Sequence, residues 1–129
     1  MTPRDFDFLH LITAGPSTRV FQVQKKDTKR IYAVKVLSRR EHTSQDRFAH
    51  AIATHKILQR SLDSPFVVAL KFSFQTKSNL YLVTDFMGGG QLFWHLQRET
   101  RFSEERSRFY VAELVLALEH LHKCDIILR

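Results

Sequence analysis

Between Phe6 and Leu37 the apolar residues fall into short runs rich in β-branched and aromatic side chains, separated by polar turns. Phe6 to Ala14 and Val20 to Lys25 flank Gly15-Pro16-Ser17, which predicts a hairpin. Lys26-Asp27-Thr28-Lys29 leads into a third strand over Ile31 to Leu37. From about Thr43 the period changes. Phe48, Ile52, His55 and Leu58 recur at three- and four-residue spacing, which predicts a helix that ends before Ser64-Pro65. Phe66 to Gln75 and Leu80 to Asp85 then read as two strands around the turn Thr76-Lys77-Ser78-Asn79. After the break Gly88-Gly89-Gly90, Gln91 to Arg98 suits a short helix. Ser103 is positioned to cap a long one whose apolar positions are Tyr110, Val111, Leu114, Val115, Leu118 and Leu121. The expected class is α+β: a five-stranded antiparallel sheet with one helix, followed by two further helices.

Composition narrows the picture. With 129 residues and 43% apolar side chains the chain is long enough for one core, and 26% charged residues fit a folded domain in water. The single cysteine, Cys124, has no internal disulfide partner, and no apolar run approaches the roughly 18 residues of a membrane helix. The N-terminus lacks a signal-peptide pattern, so an intracellular protein, cytoplasmic or nuclear, is expected. The net charge of +7 is spread over scattered pairs such as Lys25-Lys26 and Arg39-Arg40, which argues for solvated strand ends and against a nucleic-acid or membrane surface. Seven histidines offer no zinc spacing: His120 and His122 are two apart on a helix, and His50 and His55 five apart. No metal site is expected.

The most informative constellation is Tyr32-Ala33-Val34-Lys35, because strand alternation places Lys35 on the same face as Ile31, Ala33 and Leu37. Here the chain resembles the protein kinases, and within them the AGC group of serine/threonine kinases. Asp5-Phe6-Asp7-Phe8-Leu9 is similar to that group's first strand, and Ile31-Tyr32-Ala33-Val34-Lys35-Val36-Leu37 to the strand carrying the ATP-binding lysine. Asp63-Ser64-Pro65-Phe66-Val67-Val68 and Leu80-Tyr81-Leu82-Val83-Thr84-Asp85-Phe86 resemble the approach to the hinge. Gly88-Gly89-Gly90-Gln91-Leu92-Phe93-Trp94-His95-Leu96 and Leu118-Glu119-His120-Leu121-His122 resemble the segments after it.

The resemblance implies a kinase-like small lobe over residues 1–86, then the hinge and start of a large lobe over residues 87–129. It further implies that Lys35 holds the α- and β-phosphates of ATP, that Gly15 is what remains of the glycine-rich loop, and that Val20 and Ala33 cover the adenine. Thr84 takes the gatekeeper position, the backbone of Asp85 and Met87 pairs with the adenine edge, and Gln91 stands where the group usually has a ribose-binding glutamate.

The departures matter as much. The loop pattern G-x-G-x-x-G-x-V reads Thr13-Ala14-Gly15-Pro16-Ser17-Thr18-Arg19-Val20, with Pro16 lacking an N–H. Thr54 stands where the family's helix has the glutamate that pairs with the strand lysine. Asp125-Ile126-Ile127-Leu128-Arg129 looks like the strand before the catalytic loop, and the chain stops one residue short of that loop's aspartate. The D-F-G aspartate and the catalytic-loop asparagine that hold magnesium are not in the sequence, so magnesium is expected only through ATP, and ATP binding is expected to be weak or absent. The expectation is a fragment of an ATP-dependent serine/threonine kinase, inactive as this chain. A non-catalytic interaction module and a truncated gene product stay open beside it. Two partners are expected for a module: a protein covering the apolar face of the long helix, and a Phe-rich peptide near Leu80, with Phe48 and Ile52 on the helix side.

Overall fold

The computed structural model describes residues 1–38 and 64–127. The helix expected from Thr43, with Phe48, Ile52, Thr54, His55 and Leu58, lies outside the described residues. After a 3-10 turn at Pro3–Asp5 come β1 (Phe6–Ala14), β2 (Thr18–Lys25), β3 (Ile31–Ser38), β4 (Leu70–Gln75) and β5 (Asn79–Asp85), then the helices α1 (Leu92–Glu99) and α2 (Glu104–Lys123). The strands form one antiparallel sheet in the order β1-β2-β3-β5-β4, as the sequence predicts for strand number and direction.

The turns explain the strand boundaries. Gly15 donates its N–H to the Thr18 carbonyl at 2.7 Å, closing the first hairpin. In the second, Lys25 N–H donates to Arg30 O and Lys29 N–H to Lys25 O, with Lys29 in the left-handed region at φ 58°. The fourth strand starts later than expected, at Leu70 rather than Phe66. Ser64 is the reason: it is buried, its Oγ accepts from Phe66 N–H at 3.3 Å, and its carbonyl accepts from Val67 N–H at 3.4 Å. Pro65 sits inside that turn, so the strand formers Phe66, Val67 and Val68 are held in a loop.

One sheet face carries the core. Val23, Val34 and Val83 are fully buried there, with Phe6, Tyr32 and Tyr81 beside them and Phe21, Val36, Phe72 and Phe74 packed against the cluster. The Phe6 and Phe74 rings stack at 5.8 Å, and Phe74 stacks on Tyr81 at 4.8 Å. Since β1 and β4 are the two edges of the sheet, that contact means the sheet curls until its edges meet. The opposite face has a smaller cluster of Leu37, Leu70 and Leu82, joined by half-buried Leu80.

The helical part is built differently. Gln91, expected as the first helical residue, is instead the N-cap of α1 in an extended conformation. Ser103 caps α2 as expected, its Oγ accepting from Arg106 N–H at 3.2 Å. The two helices are joined by Arg106: its guanidinium donates to Glu99 at 2.5 Å and to Tyr110 Oη at 3.3 Å, and lies 4.3 Å from the Phe102 ring centroid. This bond from Arg106 holds the Glu99 carboxyl below its ordinary range. The expected strand after α2 is absent over its described residues, Asp125 to Ile127. Asp125 turns the chain at φ 59°, and Ile126 N–H returns to the Leu121 carbonyl at 2.9 Å, so these residues close the helix instead.

Candidate functional site

Strand pairing decides which predicted residues meet. Val20 lies opposite Lys35, and Lys35 opposite Leu82; one row nearer the chain's exit, Gln22 lies opposite Ala33, and Ala33 opposite Thr84. Residues opposite one another share a face, as do alternate residues along a strand, so Val20, Ala33, Lys35 and Thr84 all stand on the face away from the aromatic core. Ala33 and Lys35 are two residues apart, about 6 to 7 Å along the strand. Val20, Ala33 and Thr84 are half-buried and Lys35 is exposed; it forms no ion pair among the described residues. This is an apolar, half-covered patch ending in an exposed ammonium group.

Gly15 lies beyond that patch in the turn between β1 and β2. Its N–H is already committed to Thr18, and Pro16 has none, so the turn has few amide donors left for an anion. Ser17 is tied back to the sheet, its carbonyl accepting from Ser38 N–H at 3.1 Å.

At the other end the chain leaves β5 through Asp85, Phe86 and Met87. Met87 is 65% exposed, and its backbone N–H and C=O have no partner among the described residues. Asp85 is fixed by Lys71 at 3.0 Å. Lys71 sits where the register of β4 shifts between Leu70 and Phe72, and such an irregularity re-aims a side chain. Gly90 takes φ 81°, and Gln91 follows it as the cap of α1, so the structure brings Asp85, Met87 and Gln91 to one connection. His95, one turn into α1, places Nε2 2.6 Å from the Gly89 carbonyl.

Lys71 and His95 escape sequence reasoning. Their contacts depend on a register shift and a left-handed glycine, neither of which follows from periodicity. A cavity of about 1070 Å³ borders the same connection, between the loop at residues 64–69 and α2; it includes Asp85 and Met87 but none of Gly15, Val20, Ala33, Lys35 or Thr84. The candidate patch and that cavity are therefore separate features on either side of the connection. Among the described residues no group of three or more His, Cys, Asp or Glu side chains is placed to hold a metal ion. Among them, too, no helix is long and apolar enough to cross a membrane.

Comparison with known proteins agrees with this geometry. The protein kinase domain family matches residues 6–129. The serine/threonine-protein kinase SCH9 of Saccharomyces cerevisiae is 58% identical over 129 residues, covering 98% of this chain and 16% of that protein. YPK2/YKR2 of the same yeast is 52% identical over 125 residues, covering 97% of this chain and 18% of that kinase. The serine/threonine-protein kinase sgk-1 of Caenorhabditis elegans is 48% identical over 128 residues, covering 99% and 28%. The chain thus spans between about a sixth and somewhat over a quarter of the length of these relatives.

Proposed function

The chain belongs to the protein kinase domain family, among relatives that are AGC-group serine/threonine kinases, and from that premise we propose that its outer sheet face and hinge form the small-lobe side of an ATP site. The observation that supports this most is the cross-strand register that aligns Val20, Ala33, Lys35 and Thr84 on one face, beside a hinge whose backbone at Met87 has no partner among the described residues. Each residue has a job that its chemistry fits. Val20 and Ala33 offer a small, branched apolar cover for a flat base, and Thr84 limits its depth. The Asp85 carbonyl and the Met87 backbone groups meet the base edge, and Lys71 keeps Asp85 from swinging across it. Lys35, about two residues further along the strand than the base cover, supplies a point charge for phosphate oxygens. Gln91 reaches the sugar as a neutral hydrogen-bonding group where a carboxylate would be stronger. Bound ATP supplies the transferable phosphoryl group; magnesium enters with it, since no residue of these 129 reads as a magnesium ligand. With this function goes a location in the cytoplasm or nucleus.

For the 129-residue polypeptide by itself the proposal is weak nucleotide binding and no phosphoryl transfer. The turn at Gly15 has lost donors, and the sequence holds neither a D-F-G aspartate nor a catalytic-loop asparagine. ATP binding no tighter than roughly millimolar, about −4 kcal/mol, is expected in a titration with MgATP, with Lys35→Ala removing what binding there is. Micromolar binding, or magnesium-dependent transfer of labelled phosphate to a serine peptide, overturns the reading.

A second reading rests on α2. Val111, Leu114 and Val115 are each 57% exposed, an apolar face that we propose a protein partner covers. Docking of a Phe-rich peptide beside half-buried Leu80 belongs to the same interaction-module reading. Sedimentation tests the first: a monodisperse monomer at tens of micromolar removes the need for a cover. A Phe-x-x-Phe peptide that leaves Leu80 unperturbed in NMR spectra removes the second.

A further inference from the structure

We propose that His95 is a latch on the hinge, a positioning residue that fixes the spacing between the base-pairing backbone and Gln91 through the Gly89 carbonyl. The segment it acts on has little else to hold it. Three glycines in a row carry no side chains, and a side chain placed at Gly89 would meet nothing within 4 Å. Glycine loses more conformational freedom on ordering than any other residue, so a run of three is the costliest place in the chain to keep still. Gly90 is held at φ 81°, which bends the chain into α1. The fixed points before the run are the Lys71–Asp85 ion pair and the Phe86 ring, 3.3 Å from a Cβ built on Gly88.

After the run the fixed point is His95. Its Nε2 lies 2.6 Å from Gly89 O, and a carbonyl oxygen can only accept, so Nε2 carries the proton. The ring is braced from outside by Trp94, edge-to-face at 4.9 Å. His95 is the one half-buried residue of α1, although its neighbours Leu92, Phe93, Trp94 and Leu96 are more apolar and stay 37% to 64% exposed. The main chain at Gln91 is fixed by the same turn, where its carbonyl accepts from Trp94 N–H at 3.1 Å. His95 therefore ties the first turn of the helix, capped by Gln91, to Gly89 two residues before that cap. Both neutral Nε2–H imidazole and imidazolium donate to Gly89, so the latch does not depend on the charge of the ring.

The latch itself stands on geometry; its consequence for nucleotide rests on the ATP-site reading above. NMR of the full 129-residue chain separates the two. Backbone order parameters at Gly88 to Gly90 are expected near 0.85 in the parent chain and below about 0.6 in His95→Ala, with His95→Gln restoring them because its amide also donates. The parent ring is expected in the Nε2–H tautomer. Unchanged order parameters in His95→Ala, or an Nδ1–H ring, overturn the latch. Titration with adenine and with adenosine is the second arm. His95→Ala is expected to lose severalfold affinity for adenosine and little for adenine, since only the sugar contact depends on the spacing, and an equal loss for both overturns the spacing role. If the order parameters change as stated while the parent chain binds no MgATP even well above millimolar concentration, the ATP-site reading fails and the latch stands.

Discussion

The sheet and the helical part use similar residues to opposite effect. In the sheet Val23, Val34 and Val83 are fully buried, whereas in α2 Val111 and Val115 are 57% exposed. Strand residues find their partners on neighbouring strands, so the aromatic face closes on itself. In α2 the apolar positions surround the helix, and among the described residues only Leu121 becomes buried. What joins α1 to α2 is a charged and aromatic clasp around Arg106 rather than a core. Apolar pattern thus fixes where an element forms, while burial depends on what lies opposite it.

The strongest way to break this contrast is to truncate one leucine in each part. Leu82→Ala, at a side chain 2% exposed, is expected to cost about 2 to 5 kcal/mol in chemical denaturation. Leu114→Ala, at 57% exposed, should stay within about 0.5 kcal/mol. Equal losses would mean that α2 has cover. Next comes the cap: Ser103→Ala is expected to cost α2 roughly 1 kcal/mol, lowering helical ellipticity while the ring-current shifts of Tyr81 and Phe74 stay fixed. Loss of both signals together would show that sheet and helices unfold as one unit. A smaller effect comes from acid. Because Arg106 lowers the Glu99 carboxyl, its contribution is present above the ordinary glutamate value, about 4.3, and is lost as pH falls through the lowered one. Tyr110 resonances should therefore shift on acidification below the ordinary glutamate range, and Glu99→Gln should abolish that shift. The smallest expected effect is Gly15→Ala: no positive φ is required there and the added Cβ meets the Thr18 carbonyl at 3.6 Å, so stability should change by no more than about 0.5 kcal/mol.

Sequence pattern was most informative where the chain is punctuated. Gly15-Pro16-Ser17 and Thr76-Lys77-Ser78-Asn79 delimit strands whose ends beside those turns agree with the structure within two residues, and Ser103 caps the helix it was expected to cap. It misled where local propensity and a side-chain bond compete. Phe66, Val67 and Val68 favour a strand, yet buried Ser64 accepts from the Phe66 and Val67 amides and binds them into a turn. Asp125 takes a left-handed turn that brings Ile126 N–H back to the Leu121 carbonyl where an extended segment was expected. For the site, alternation alone places Ala33 and Lys35 on one face; Val20 and Thr84 are assigned from the resemblance, and it is the register of β2 and β5 against β3 that brings them to that face. The two groups that hold the hinge could not be placed in either way, because Lys71 depends on a shifted register and His95 on a six-residue reach through a left-handed glycine.

The stacked rings of Phe6, Phe74 and Tyr81 bear on how this sheet folds. Phe6 begins β1 and Phe74 lies in β4, so the stack joins the first strand to one formed much later in the chain. Closing a longer loop adds little to the final free energy, about 0.6 kcal/mol for each doubling, but contacts between distant segments slow the search for them. The hairpin of β1 and β2 forms from neighbours; its outer edge, Phe6, stays unsealed until β4 and β5 arrive with Phe74 and Tyr81. Sealing is thus a late event in folding, and a nascent chain that has reached only β3 presents an open aromatic edge to whatever else is in solution.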